Sequence, residues 1–115
     1  MPDRIAYKVM SAAEAQQMQR DGVFRGSAVD VADGFIHLSS GSQVAETLDR
    51  HFGGVKGLVV AAVDLVRLGN AVRWEPSRGG QLFPHIYGEL SVHAVVAVGP
   101  VERTADGAVV LPGPA

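Results

Sequence analysis

Cysteine is absent from the 115 residues. That absence excludes a disulfide framework, a thiolate zinc site and a cysteine nucleophile. A basic block is absent too: 10 Lys and Arg against 12 Asp and Glu leave a net charge of −2. This balance argues against a large nucleic acid as partner, although a nucleotide remains open as a small ligand. The longest apolar runs, residues 58–63 and 94–98, fall far short of the ~20 residues that span a bilayer. Residues 1–10 are short and mixed, unlike a secretory signal, so no membrane partner is expected and the expected location is the cytoplasm. No GxGxxG, P-loop, GxSxG or HExxH motif occurs. His37, His85, Glu75 and Glu89 are the natural ligands for a metal, but they lack a recognised spacing, so no metal is expected.

What is present suits one folded domain. Hydrophobic residues make up 47% and charged residues 19%, enough apolar surface for a core and too little charge for disorder. The expected domain is residues 1–115, with a core from about 4 to 104 and a loose tail over 112–115. Ile5, Tyr7 and Val9 alternate with Ala6, Lys8 and Met10, which predicts a first strand. Ser11 with Glu14 three residues on forms a capping-box pattern, and helix formers follow until Asp21-Gly22. Residues 23–32 read as a surface excursion with one short strand, 23–25. Residues 35–39 read as a strand with Ile36 and Leu38 facing the core and His37 facing a cleft. A second helix is expected over 43–52, with Val44, Leu48 and Phe52 as its apolar stripe. Residues 58–65 read as a central buried strand, and 71–74 read as a strand leading to Glu75-Pro76. A glycine loop follows at 77–81, then strands at 83–90 and 92–98 and a hairpin about Asp106-Gly107. Both helices fall before Gly53, and strands and helices do not alternate, so the fold class is α+β. The expected shape is two helices on a split or strongly bent mixed β-sheet.

The stretch Phe83-Pro84-His85-Ile86-Tyr87-Gly88-Glu89 carries most of the chemistry. In an extended chain, alternate side chains share a face. Phe83, His85, Tyr87 and Glu89 then form a wall of ring, imidazole, phenol and carboxylate. Pro84 has no N–H for a ladder, so this segment is expected to start a strand or lie on an edge. The run GFIHLSSGSQ reads as strand, turn and helix start. It brings His37, Ser39, Gln43 and Thr47 forward as ligand-binding candidates near free N–H groups. Trp74 is a core side chain or a stacking surface, and Glu75 is an acid/base group or a plain surface carboxylate. His51 and His93 read as incidental. His37 and His85 are expected to meet in one pocket with Tyr87.

AYKVM, GFIHLSSGSQVAETLDRHF, LVVAAVDL, VRWEPS and QLFPHIYGEL together resemble domain of unknown function (DUF) family 952, over residues 5–98. The resemblance implies a small bacterial protein of ADP-ribosylation-like fold, with no assigned activity. ADP-ribosyltransferases bind NAD between two small sheets. By that likeness, Lys8 stands at the first motif, His37 or Ser39 at the second and Glu89 at the third. His37 and Lys8 would hold ribose or phosphate, Tyr87 or Phe83 would stack on nicotinamide, and Glu89 would favour an oxocarbenium-like centre. Lys8 departs from the His or Arg usual at its position. Three readings follow: an NAD- or nucleotide-binding, transferase-like enzyme with His37, His85 and Glu89 catalytic; a non-catalytic small-molecule binding module; and a hydrolase working through His37 and His85. Cofactor, substrate and oligomeric state are not legible.

Overall fold

The computed structural model describes residues 4–113; positions 114 and 115 of the tail expected to be loose lie outside them. The elements run β1 (Ile5–Ser11), α1 (Ala12–Asp21), β2 (Val23–Phe24), α2 (Ala28–Asp33), β3 (Ile36–His37), β4 (Ser39–Ser40), α3 (Val44–His51), β5 (Leu58–Asp64), β6 (Val72–Pro76), β7 (Leu82–Ile86), β8 (Leu90–Ser91), β9 (Val95–Pro100), β10 (Glu102–Arg103) and β11 (Val109–Val110). The class is α+β, and all of these strands pair antiparallel. The expectation of a mixed sheet is therefore corrected.

A four-stranded sheet ordered β4-β1-β5-β9 divides the core. Ala6, Met10, Ala61 and Val63 pack on one face with Met18, Phe24, Ile36, Leu38 and Ile86. Val9, Leu58 and Val60 pack on the other with Val44 and Leu48. The period-2 alternation of β1 and β5 generates both layers. A three-stranded sheet, β3-β7-β6, lies beside the first.

The strand expected over 35–39 is broken at Leu38, and this break divides the sheets. Ile36 and His37 pair with Ile86 and His85 of β7, whereas Ser39 and Ser40 pair with Tyr7 and Ala6 of β1. β4 covers only those two residues of β1, so among the described residues β1 has no strand neighbour on that side from Lys8 onward. The break also answers the expectation for Pro84. β7 is the central strand of its sheet rather than an edge. A residue's C=O and N–H point to the same side of a strand. The Pro84 carbonyl accepts from Leu38 N at 3.0 Å, so its missing N–H faces the point where the chain leaves β3.

Three helices precede Gly53, not two. The capping box at Ser11 and Glu14 is present. A second one, Ser27 with Asp30, starts the six-residue α2 within the expected surface excursion. The last long strand begins at Val95, not 92, because Ser91 Oγ accepts from His93 N and winds residues 92–94 into a 3-10 turn. No helix among the described residues is long and apolar enough to cross a membrane.

Candidate functional site

A cavity of about 520 Å³ opens along the uncovered edge of β1. Because that edge has no neighbour, side chains from both faces of β1 reach it: Tyr7 and Val9 from one, Lys8 from the other. His37, Leu38, Ser39, Phe83 and His85 close one side, and Thr47, His51 and Phe52 of the α3 region close another. Glu14, Ser27, Asp30 and Asp33 complete the polar part.

His37 and His85 are direct partners in the β3–β7 register. Antiparallel partners project to the same face, and the ring centroids lie 5.4 Å apart. Phe35 stacks on His85 at 4.2 Å and tilts against His37 at 4.6 Å and Tyr87 at 5.3 Å. The imidazoles meet as expected, but each has a different set of partners.

The His37 side is built on Asp30, which is 2% exposed. Asp30 Oδ1 lies 2.7 Å from His37 Nδ1 and accepts from His37 N at 3.1 Å. Lys8 Nζ lies 2.8 Å from Asp30 Oδ2 and donates to Asp30 Oδ1 and the His37 carbonyl, both at 3.1 Å. Desolvation pushes the Asp30 carboxyl up, but Lys8 and the donors from His37 and Ser27 outweigh it and hold the group below its ordinary range. Asp33, half-exposed at the end of α2, meets His37 Nε2 at 2.9 Å. Both ring nitrogens thus face carboxylates, and both can donate only when both carry protons. Gly26 sets the approach of α2: a Cβ there would come within 2.9 Å of the Asp30 Cβ, and φ is +111°.

On the other strand, His85 is 4% exposed. Its Nδ1 lies 2.8 Å from Glu75 Oε1, the same oxygen that accepts from Tyr87 OH at 2.8 Å. Hydrogen bonds from His85 and Tyr87 hold Glu75 below the usual carboxylate range. Glu75 in turn raises the Tyr87 phenol above its usual value. Among the described residues, no partner is bonded to His85 Nε2.

The remaining candidates divide. Ser39 Oγ and Thr47 Oγ1 are bonded to each other at 2.8 Å, and Phe83 is buried in the lining. Tyr87 is 42% exposed and lies outside the cavity, behind His85 on Glu75. Trp74 packs half-buried against the larger core cluster. Gln43 also lies off the cavity: it accepts from Ser40 N and donates to the Leu82 carbonyl, tying the start of α3 to β7. Lys8 lines the cavity, but Asp30 neutralises it. Glu89 requires correction. β7 ends at Ile86, and Gly88 at φ +141° turns the chain. Glu89 therefore leaves the face of His85 and pairs with Arg25 at 3.0 Å, both side chains more than half exposed.

Asp30, Asp33 and Phe35 escape the sequence reading, and His51, read there as incidental, lines the cavity. The Ser27-x-x-Asp30 spacing was the available signal for α2 and hence for both aspartates. Asp30 and Asp33 approach opposite nitrogens of one ring. Among the described residues no three His, Asp or Glu side chains are grouped as a metal ion would require.

A sequence model of the family described as "Protein of unknown function (DUF952)" matches residues 9–98. The crystal structure of protein CC0527 from Caulobacter crescentus is 46% identical, with a TM-score of 0.84 over 93% of this chain and 94% of that one. The solution NMR structure of CC0527 gives a TM-score of 0.78 at 46% identity, over 93% and 91% of the two chains. No curated protein matches.

Proposed function

The chain belongs to the DUF952 family, and for this member we propose a small-molecule site that performs acid–base chemistry through His85, with His37 as its partner. The observation that carries this reading is the asymmetry at His85: Nδ1 is bound to Glu75, while Nε2 has no partner among the described residues. In the neutral ring, a proton donated from Nδ1 to Glu75 leaves the Nε2 lone pair for a ligand or water. When Nε2 takes a proton, Glu75 stabilises the imidazolium, and Tyr87 keeps Glu75 oriented. His37, whose two ring nitrogens meet Asp30 and Asp33, faces His85 from the paired strand. Positioned proton transfer of this kind contributes ~10²–10⁴-fold to a rate. Hydrolysis or proton abstraction fits it, and the protein's location is taken as the cytoplasm.

A second reading is the ADP-ribosylation-like one, with NAD or another nucleotide as ligand. The split sheets favour it, as does the meeting of Lys8 and His37 at one cavity. It lacks its third residue, since Glu89 faces outward to Arg25.

A panel of metabolites tests the main reading. A ligand that binds only the folded state raises Tm. That rise is expected to shrink markedly in His85→Ala while the unliganded variant keeps its cooperative melt. An undiminished rise in His85→Ala defeats the assignment.

A further inference from the structure

We infer that the ligand of this cavity is a small organic cation or neutral nitrogen base with N–H donors, and not a phosphorylated metabolite. The inference rests on the acid–base reading of His85 and adds the class of compound.

Lys8 is the sole Lys or Arg among the described lining residues. An ammonium has three protons, and the contacts of Lys8 Nζ, two with Asp30 and one with the His37 carbonyl, occupy them. Its side chain is 8% exposed, leaving no cationic surface for a phosphate. Against it stand three lining carboxylates, Glu14, Asp30 and Asp33. With the histidines neutral, the described lining residues carry an excess of two negative charges, and a protonated His37 still leaves one.

The hydrogen-bonding groups point the same way. The Ser39 and Thr47 hydroxyls are bonded to each other. The N-terminal turn of α2 accepts its own anion, since Asp30 Oδ2 takes Ser27 N at 2.9 Å. Two acceptors stand out for a ligand among the described residues: His85 Nε2, which bears a lone pair while the ring is neutral, and the half-exposed carboxylate of Asp33. A compound with N–H groups bonds to both, and a cationic one also gains from the carboxylates. Val9, Leu38, Phe52 and Phe83 supply an apolar wall for its body. A phosphate would meet an acceptor at both of these points and be repelled by the lining carboxylates.

The test uses four compounds that share a phenyl body: phenethylamine, 2-phenylethanol, 3-phenylpropionate and phenyl phosphate. Each is titrated into the full chain at neutral pH while the His85 ring nitrogens are followed by NMR. The amine is expected to bind about tenfold or more tighter than the phosphate, with the alcohol between them. In Asp33→Asn the amine's advantage over the alcohol should fall about threefold, a modest change because Asp33 is half-exposed and screened. Glu14→Gln, at a second lining carboxylate, should reduce the same ratio. Phosphate binding equal to or tighter than the amine, with His85 perturbed, overturns this inference and leaves the acid–base reading standing. If no compound perturbs His85 up to about 10 mM, where even weak ligands of this size register, both fall.

Discussion

Two histidines that are direct partners in one strand pair have received opposite treatment. His37 sits over a buried carboxylate that a buried lysine neutralises, and a second carboxylate meets its other nitrogen. His85 is the more buried ring, yet its carboxylate is a third exposed and its Nε2 has no partner among the described residues. The contrast shows that burial of a side chain and commitment of its polar atoms are separate properties. His37 belongs to a closed ion network that fixes α2 to β1. His85 is held at one end and available at the other.

The strongest way to break the comparison is to remove the carboxylates. Asp30→Ala leaves Lys8 buried and unpaired, so it is expected to cost about 3–5 kcal/mol of stability by chemical denaturation. Glu75→Ala exposes a shallower site and should cost much less. Equal losses would mean that the two sides are anchored alike.

Removal of the imidazoles sharpens it further. His85→Ala should weaken a bound ligand by about tenfold or more, one charge-assisted or buried hydrogen bond's worth, with little change in unliganded stability. His37→Ala should show the reverse balance, with a clear loss of stability because Asp30 gives up a partner. Calorimetric binding beside denaturation of both variants would decide it, and the same profile in both variants would contradict the division of roles.

The acid limb of stability carries a smaller effect. Asp30 is held below the ordinary carboxylate value of about 3.9. A depressed folded value stabilises the protein at pH above the unfolded value, and this is lost as pH falls through the folded one. Wild type should therefore lose stability progressively below about pH 4. Asp30→Asn should flatten that loss visibly and Glu75→Gln less so, since Glu75 is depressed mainly by hydrogen bonds from His85 and Tyr87 at a more open site. A limb unchanged in Asp30→Asn would remove the ion pair from the account.

The smallest expected effect is at Tyr87. Its phenol is raised above the ordinary value of about 10 by Glu75. A raised value stabilises the fold below the unfolded value and is lost as pH rises through the folded one. In Glu75→Gln the phenol should titrate lower than in wild type by ultraviolet absorbance, with Tyr87→Phe identifying the transition among the two tyrosines. An unmoved midpoint would mean that the Tyr87–Glu75 bond is not maintained in solution.

Much of the layout is legible in the sequence because it rests on local rules. The alternation of residues 5–10 and 58–64 makes two-faced strands, and Ser11 with Glu14 starts a helix. Val44 and Leu48 are buried as their spacing implies, while Phe52 is only half-buried because it turns toward the cavity. Alternation also sets His37 opposite Ile36 and Leu38, and His85 with Phe83. It fails for Glu89, since periodicity holds only while the strand continues and Gly88 ends it.

The sequence by itself determined the α+β class, the early helices, the central strands and the two histidines as a pair worth watching, because periodicity and capping act over a few residues. Tertiary structure alone decided which partner each histidine obtained. Asp30 lies 22 residues from Lys8, and Glu75 lies 10 residues from His85. Their meeting depends on the break at Leu38 that divides the sheets and on Gly26, which allows α2 to pack close. Charge pairing and cavity formation are set by distances between segments, and no local pattern encodes those distances.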